Sequence, residues 1–281
     1  MKILMDSYYE IGSNHIVCED YARTGKFSIE DKDYHYAIVS DGCSSSKDTD
    51  VGSRLLTLLA HNALVYAYLH ESTTEYRSKS FKEQMKIAIQ NCSTMFSASI
   101  TPLMFDATLV IAVTDGLKTE VYMYGDGVII LRTAEGISHT FTMEYLSNAP
   151  YYISYEALSK SRNADYQRQF KGMEKFFKSI HHKDKSEHSC NSIPTEDTYR
   201  WIDNVAMKLQ SISVFSDGVH TFTKDREKLD LYNVCNEFTN FKNVTGDFVS
   251  RRLLAYKRQC LKDNIKHDDD ISIATLYFEQ E

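Results

Sequence analysis

Proline is scarce in this chain and glycine is sparse: 3 and 11 of 281 residues. No stretch is rich in Pro, Gly or Ser over the length of a linker, which argues against two tethered domains. One domain over residues 1–281, with an insertion at about 151–200, is the expectation. No apolar run approaches the roughly 20 residues a membrane-spanning helix needs. The opening Met1–Asp6 carries too short an apolar run for a secretory signal. A soluble, cytoplasmic protein with no membrane partner is therefore expected. The six cysteines are scattered and form no CxxC pair, so neither a zinc knuckle nor a disulfide framework is indicated. A basic excess is also missing. The formal charge is −7, which lacks the footprint that general nucleic-acid binding rests on. A metal-dependent nuclease is disfavoured on the same ground.

What the chain does have is a repeated way of ending strands. The run Tyr36-Ala37-Ile38-Val39 has the content of a buried strand and stops on Ser40-Asp41-Gly42. The same grammar recurs at Val121 to Gly125-Asp126-Gly127 and at Ile212 to Ser216-Asp217-Gly218. A fourth cluster, Asp268-Asp269-Asp270, opens the last apolar run from Ile271. A segment His15 to Cys18 also ends on acid, Glu19-Asp20. Helical spacing marks Val51 to Leu69, with Leu55, Leu58, Leu59, Leu64, Val65 and Leu69 apolar, and a second helix over Ser80 to Ser97. Ala107 to Arg132 reads as an antiparallel meander with turns at Asp115-Gly116 and at Gly125-Asp126-Gly127. Gly246 to Asp263 reads as an amphipathic helix.

Suppose Asp20, Asp41, Asp217 and Asp269 converge. Two unit charges about 4 Å apart repel by roughly 4 kcal/mol at an effective dielectric of about 20. Such a cluster persists only if protonated, hydrated or filled with cations. Hard oxygen donors select Mg²⁺ or Mn²⁺. Two such ions can activate a water for attack on phosphorus, which leads from these residues to phosphate ester hydrolysis.

The ordered set Glu19-Asp20, Ser40-Asp41-Gly42, Ala107-Thr108-Leu109 with Gly125-Asp126-Gly127, Ser216-Asp217-Gly218-Val219 and Asp269-Asp270-Ile271-Ser272 resembles the metal-dependent protein phosphatases of type 2C in their compact bacterial form. The resemblance runs from about Gly12 to Phe278. It implies an α+β fold, a four-layer α-β-β-α sandwich with two central, mostly antiparallel sheets. It implies a binuclear Mn²⁺/Mg²⁺ centre in which Asp41 bridges both ions and the Gly42 carbonyl ligates one. Asp217 and Asp269 would hold one metal, Glu19 and Asp20 would act through metal-bound waters, and Asp126 matches a third, weaker site. Asp41 and Asp217 would be the catalytic carboxylates. The implied reaction is dephosphorylation of phosphoserine or phosphothreonine in a protein substrate, with a Ser/Thr kinase as a further partner. A monomer is expected.

Two positions depart from the family pattern. His15 stands where members often have an Arg, and is assigned a phosphate contact. Cys43-Ser44-Ser45-Ser46 follows Asp41-Gly42 where many members have a Gly-rich or His-containing turn, so a His general acid is absent there. These departures leave open an alternative, a catalytically weak module that binds phosphoproteins. The insertion carries eight Lys/Arg against five Asp/Glu between Ser154 and Cys190. It reads either as a solvated surface excursion or as a flap facing an anionic substrate.

Overall fold

In the computed structural model the chain begins with strands β1 (Lys2–Glu10), β2 (Tyr21–Ile29) and β3 (Lys32–Ser40). Two 22-residue helices follow, α1 (Thr49–His70) and α2 (Thr74–Met95). Strands β4 (Leu109–Thr114), β5 (Lys118–Tyr124), β6 (Gly127–Thr133) and β7 (Ser138–Tyr145) come next. The inserted stretch holds α3 (Ile153–Leu158), α4 (Lys160–Gln169), β8 (Lys175–His181), β9 (Ser186–Asn191) and β10 (Tyr199–Asp203). The chain continues through β11 (Leu209–Phe215), β12 (Thr223–Lys224), β13 (Glu227–Lys228) and α5 (Leu231–Thr239) to α6 (Phe248–Lys262), β14 (Ile265–Lys266) and β15 (Ile271–Glu279). The structure describes residues 1–96, 102–145, 149–158, 160–169, 175–181, 186–191 and 199–279. Lys171, Glu174, Lys183, Asp184 and Lys185 of the charged insertion, and Ser97 at the expected end of the second helix, lie outside the described residues.

A seven-stranded sheet runs β1-β15-β11-β6-β7-β8-β9 and a five-stranded sheet runs β10-β5-β4-β3-β2. Neighbouring strands in both are antiparallel. Their facing surfaces enclose one apolar core, with Ala37, Val39, Val110 and Val121 from the smaller sheet meeting Leu131, Ile212, Val214 and Leu276 from the larger. Alternation sends the neighbouring residues outward. Tyr36, Ile38, Ile111 and Tyr122 therefore pack against Leu56, Ala60, Leu64 and Phe81 of α1 and α2. Val128, Ile130, Phe215 and Ile273 pack against Val234, Phe238, Phe248 and Leu253 of α5 and α6. Each fully buried side chain of this size contributes about 1.5–3 kcal/mol relative to exposure. The result is the expected four-layer α-β-β-α sandwich.

The structure adds to or corrects the sequence reading at four places. The segment from His15 to Cys18 forms no strand; it is a loop whose Ile16 is 98% exposed. The strand β2 lies just beyond it. The run Gly125-Asp126-Gly127 is not a hairpin turn within a meander, because β5 belongs to the smaller sheet and β6 to the larger. Two glycines with positive φ, +87° and +147°, let the chain cross there. Helix α2 starts at Thr74 rather than Ser80, since Thr73 caps it by accepting the Tyr76 N–H. Helix α1 turns Gly52, Ser53, Leu56, Ala60, Ala63 and Ala67 inward, while Leu58 and Leu69 are exposed.

A glycine lets the start of α1 sit close to its neighbours. A Cβ on Gly52 would lie 1.6 Å from the Met104 carbonyl oxygen, in a fully formed helix where Ala is otherwise favoured by about 1 kcal/mol. Gly52→Ala is expected to destabilise the fold by about 1–3 kcal/mol, because overpacking against backbone outweighs the propensity gain. Urea denaturation measures this, and a stabilised variant would contradict the close approach.

Candidate active site

Strand register places the acids. Tyr21 pairs with Ser40 across β2 and β3, so Asp20 and Asp41 leave the same end of the smaller sheet. Val39 pairs with Val110 and Leu109 with Tyr124, which brings Thr108 and Gly125 to that end as well. In the larger sheet Phe215 pairs with Ile273 and with Val128. Asp217, Asp126 and the Asp269–Asp270 pair therefore emerge together. Both sheets end at one rim, and the crossing at Asp126 joins them there.

Backbone contacts hold the loops in place. The Asp41 N–H donates to Thr108 Oγ1 (3.1 Å), and the Thr108 N–H donates to the Asp41 carbonyl (2.8 Å). The Gly42 N–H donates to the Glu19 carbonyl (3.2 Å). Gly218 packs directly on the lead into β15, where an added Cβ would lie 1.8 Å from the Asp270 carbonyl oxygen. Thr49, at the start of α1, donates its hydroxyl to Glu19 Oε1 (2.8 Å).

The electrostatics are those of crowded, desolvated carboxylates. Burial raises the pKa of Asp20 to about 7, with Asp270 adding to the shift. Burial, then Asp20 and Asp217, push Asp41 well above the usual carboxylate range. Burial, then Asp217 and Asp269, take Asp126 to about 8. Asp269 is raised by burial and by Asp217, and Glu19 by burial, opposed by the Thr49 hydrogen bond. Neither oxygen of the fully buried Asp20 has a hydrogen-bond partner. Ser216, Asp41 and Ser272 flank it and temper its shift without reaching hydrogen-bond geometry.

His15 sits among these acids. Its Nε2 lies 3.2 Å from Asp269 Oδ1 and its Nδ1 lies 3.1 Å from Asp270 Oδ2. Burial opposes its charge, but Asp270, Asp269 and Glu19 outweigh that and raise its pKa. Both ring nitrogens thus face carboxylates at the rim.

Two residues here carry no mark of their role in the sequence. Asp270 is buried and accepts the Gly12 N–H at 2.7 Å and the Glu19 N–H at 2.6 Å, so it staples the His15 loop to the rim. Its neighbour Asp269 is the more exposed of the two; identical side chains one residue apart give no hint of this difference. Asp106, also buried, accepts from Ser46 Oγ (3.0 Å), Ser154 Oγ (2.9 Å) and Arg162 Nη2 (2.6 Å). Its carbonyl accepts the Cys43 N–H (2.8 Å). It ties the turn after Asp41-Gly42 to α3 and α4 of the insertion. From that side Tyr152 reaches the rim, where burial, then Cys43, Asp126 and Asp41, raise its hydroxyl pKa.

The sequence profile of protein phosphatase 2C matches residues 11–256. The chain belongs to the protein phosphatase 2C family. The matched span includes Glu19, Asp20, Asp41, Asp126 and Asp217, and ends before Asp269. The fold of this phosphatase 2C chain is also that of solved structures. It aligns with the Ser/Thr phosphatase Stp1 from Staphylococcus aureus at 11% identity and TM-score 0.54, covering 100% of this chain and 96% of that one. A bacterial serine phosphatase aligns at 11% identity and TM-score 0.51, covering 99% of this chain and 98% of that one. The phosphatase domain of SpoIIE from Bacillus subtilis, with part of its regulatory domain, aligns at 10% identity and TM-score 0.50; 98% of this chain covers 63% of that one. A sequence search of curated proteins gives no match.

Proposed function

We propose that this chain is a metal-dependent protein Ser/Thr phosphatase that uses Mn²⁺ or Mg²⁺ at the acidic rim. The observation that carries the reading is Asp20: a carboxylate with no exposure, no hydrogen-bond partner, and the acids Asp41 and Asp270 beside it. Buried polar groups in native proteins are partnered, and an orphan calls for an ion or water. The donors are all hard oxygens, as Mg²⁺ and Mn²⁺ prefer. Among the described residues no three His, Cys, Asp or Glu side chains are grouped to hold an ion by themselves. A cation here would therefore share its shell with water and backbone carbonyls, which suits Mg²⁺, an ion that dehydrates reluctantly. The residues fit such an ion.

Asp41, Asp217 and Asp269 would supply carboxylates, with the Gly42 carbonyl beside them. Glu19 and Asp20 would act through water, and Asp126 would serve a weaker third position. Bound there, two divalent cations lower the pKa of water and offset charge on phosphoryl oxygens. The chain's own residues do the rest. Asp270 fixes the loop that carries His15 and Glu19, and Thr49 orients Glu19. His15, whose pKa its carboxylate neighbours raise against the effect of burial, stands at the rim where it would contact the phosphoryl group. Tyr152 borders the same opening and can present its hydroxyl to a phosphorylated side chain.

The test is hydrolysis of an aryl phosphate and of phosphoserine and phosphothreonine peptides, with Mn²⁺ or with EDTA. Turnover is expected with the metal and not with chelator, and Asp217→Asn is expected to be inactive. Equal turnover in both conditions, or an active Asp217→Asn, would overturn the assignment.

A further inference from the structure

We infer, resting on the metal centre proposed above, that Asp106 is a positioning residue for the Asp41-Gly42 turn. Through its ion pair with Arg162, cation affinity at the rim depends on the insertion. Three successive residues grip the turn in reverse order. The Thr108 N–H donates to the Asp41 carbonyl (2.8 Å), Ala107 pairs with Gly42 as an isolated antiparallel bridge, and the Asp106 carbonyl accepts the Cys43 N–H (2.8 Å). These contacts continue the register that sets Val39 opposite Val110. The pairing of β3 with β4 is thereby carried past both strand ends to the proposed ligands. The turn then closes on itself, with the Ser46 N–H donating to the Cys43 carbonyl (2.9 Å).

The Asp106 side chain bridges from this turn to the insertion, and it is 1% exposed. Its Oδ2 accepts from Ser46 Oγ on the turn (3.0 Å) and from Arg162 Nη2 on α4 (2.6 Å). Its Oδ1 accepts from Ser154 Oγ on α3 (2.9 Å) and from Arg162 Nη1 (3.2 Å). A two-pronged guanidinium contact fixes direction as well as distance. The far side is firm. Arg162 lies over the Tyr155 ring, 4.8 Å from its centroid, and Tyr155 packs on Tyr151, Tyr152 and Tyr166. Helix α3 is in turn anchored on α2: Gln90 donates to the Ala157 carbonyl (2.7 Å) and Lys82 pairs with Glu156 (2.7 Å).

A buried ion pair adds little net stability, because desolvation offsets most of the attraction and apolar residues of like volume often serve as well. What it supplies beyond an apolar contact is a fixed direction, and this one is spent on the turn that carries Asp41 and the Gly42 carbonyl. Asp106 has both oxygens engaged by Ser46, Ser154 and Arg162, so it acts through the turn and is not itself a ligand. Groups that orient metal ligands without touching the ion are typically worth roughly 10–100-fold in affinity. The contacts from α4 through Arg162 and Asp106 to Ser46 and Cys43 are contiguous, as energetic coupling between two parts of a chain requires.

A double-mutant cycle on the full chain, read in two ways, is the experiment. In EDTA, Arg162→Gln is expected to speed hydrogen exchange over residues 43–46 by about threefold or more, with its circular dichroism unchanged. Arg168→Gln, on the same helix and paired with the exposed Asp165, is expected to exchange there at the parental rate. In calorimetric titration with Mn²⁺, Asp106→Asn is expected to raise Kd about tenfold and Arg162→Gln about threefold or more. The double variant is expected to bind no more weakly than Asp106→Asn alone, since Arg162 acts through Asp106. Fully additive losses, or an equal loss in Arg168→Gln, would overturn the coupling through Asp106. Parental exchange and Kd in folded Arg162→Gln would overturn the positioning role while the metal centre stands. A parent that binds no Mn²⁺ would overturn the metal centre and this dependence together.

Discussion

Asp41→Asn is expected to lose more than about 100-fold in kcat/KM toward an aryl phosphate and yet to be more heat-stable than the parent in EDTA. The two effects have one cause. Asp41 is raised well above the carboxylate range by burial and by Asp20 and Asp217, so its charge destabilises the metal-free fold. An amide keeps the shape and removes the charge. The same cluster sets a pH dependence. Asp20 is held up to about 7 and Asp126 up to about 8, against an unfolded value of about 3.9. Between roughly pH 4 and pH 8 the folded chain keeps protons that the unfolded chain releases, so stability falls as pH rises. The acids titrate as a group, and the combined effect is on the order of several kcal/mol. A bound divalent ion opposes that loss; at 100 times its Kd, one ion adds about 2.7 kcal/mol. Scanning calorimetry across this window, with EDTA and with Mg²⁺, should show a falling Tm in chelator and a flatter, higher one with metal. An Asp41→Asn variant that melts no higher than the parent in EDTA would sink the charge-crowding account.

Glu120→Ala should be among the most destabilising substitutions, at about 3–5 kcal/mol. Glu120 lies near the Asp115–Lys118 hairpin, at the far end of the smaller sheet from the rim. It is 5% exposed. Arg77 donates to it through Nε at 3.1 Å and through Nη2, and Tyr68, Tyr122 and Thr74 donate hydroxyls at 2.9, 2.7 and 2.8 Å. Removing the carboxylate strands a half-buried guanidinium and three hydroxyls. Burial alone would raise the Glu120 pKa, but Arg77 and Tyr122 outweigh it and hold it below the ordinary value. Its contribution is therefore complete above about pH 4.5 and is lost as pH falls through the lowered folded value. The two ends of the sandwich thus have opposite pH slopes in different windows. Urea denaturation of Glu120→Ala at neutral pH gives the magnitude; a loss under about 1 kcal/mol would mean that solvent, not Arg77, satisfies this site.

The acidic rim was readable because strand ends leave a mark. Ser40-Asp41-Gly42 and Ser216-Asp217-Gly218 each stop an apolar run, and antiparallel pairing then dictates where such stops meet. Strand β2 left no comparable mark. Its residues Arg23, Thr24, Gly25 and Lys26 are polar or small, and the strand is held by β3 on one side and α1 on the other. The crossing at Asp126 has the same letters as a hairpin turn, since both need glycines at positive φ. What distinguishes them is which sheet receives β6, a long-range matter. Helix α1 was legible from its apolar spacing, whereas the close approach of Gly52 to Met104 was not, because that contact is long-range. Asp106 and Glu120 carry no local pattern at all, because their partners, Arg162 and Arg77, are distant in sequence.

The rim draws its acids from both sheets, and the Asp126 crossing is where the two halves share a chain segment. Asp20 and Asp41 belong to one sheet; Asp217, Asp269 and Asp270 belong to the other. Repulsion between the two sets, such as that between Asp41 and Asp217, arises where the sheets meet. Divalent cations would thus act as a cement between the two sheets, and scarcity of them would loosen that junction before either layer.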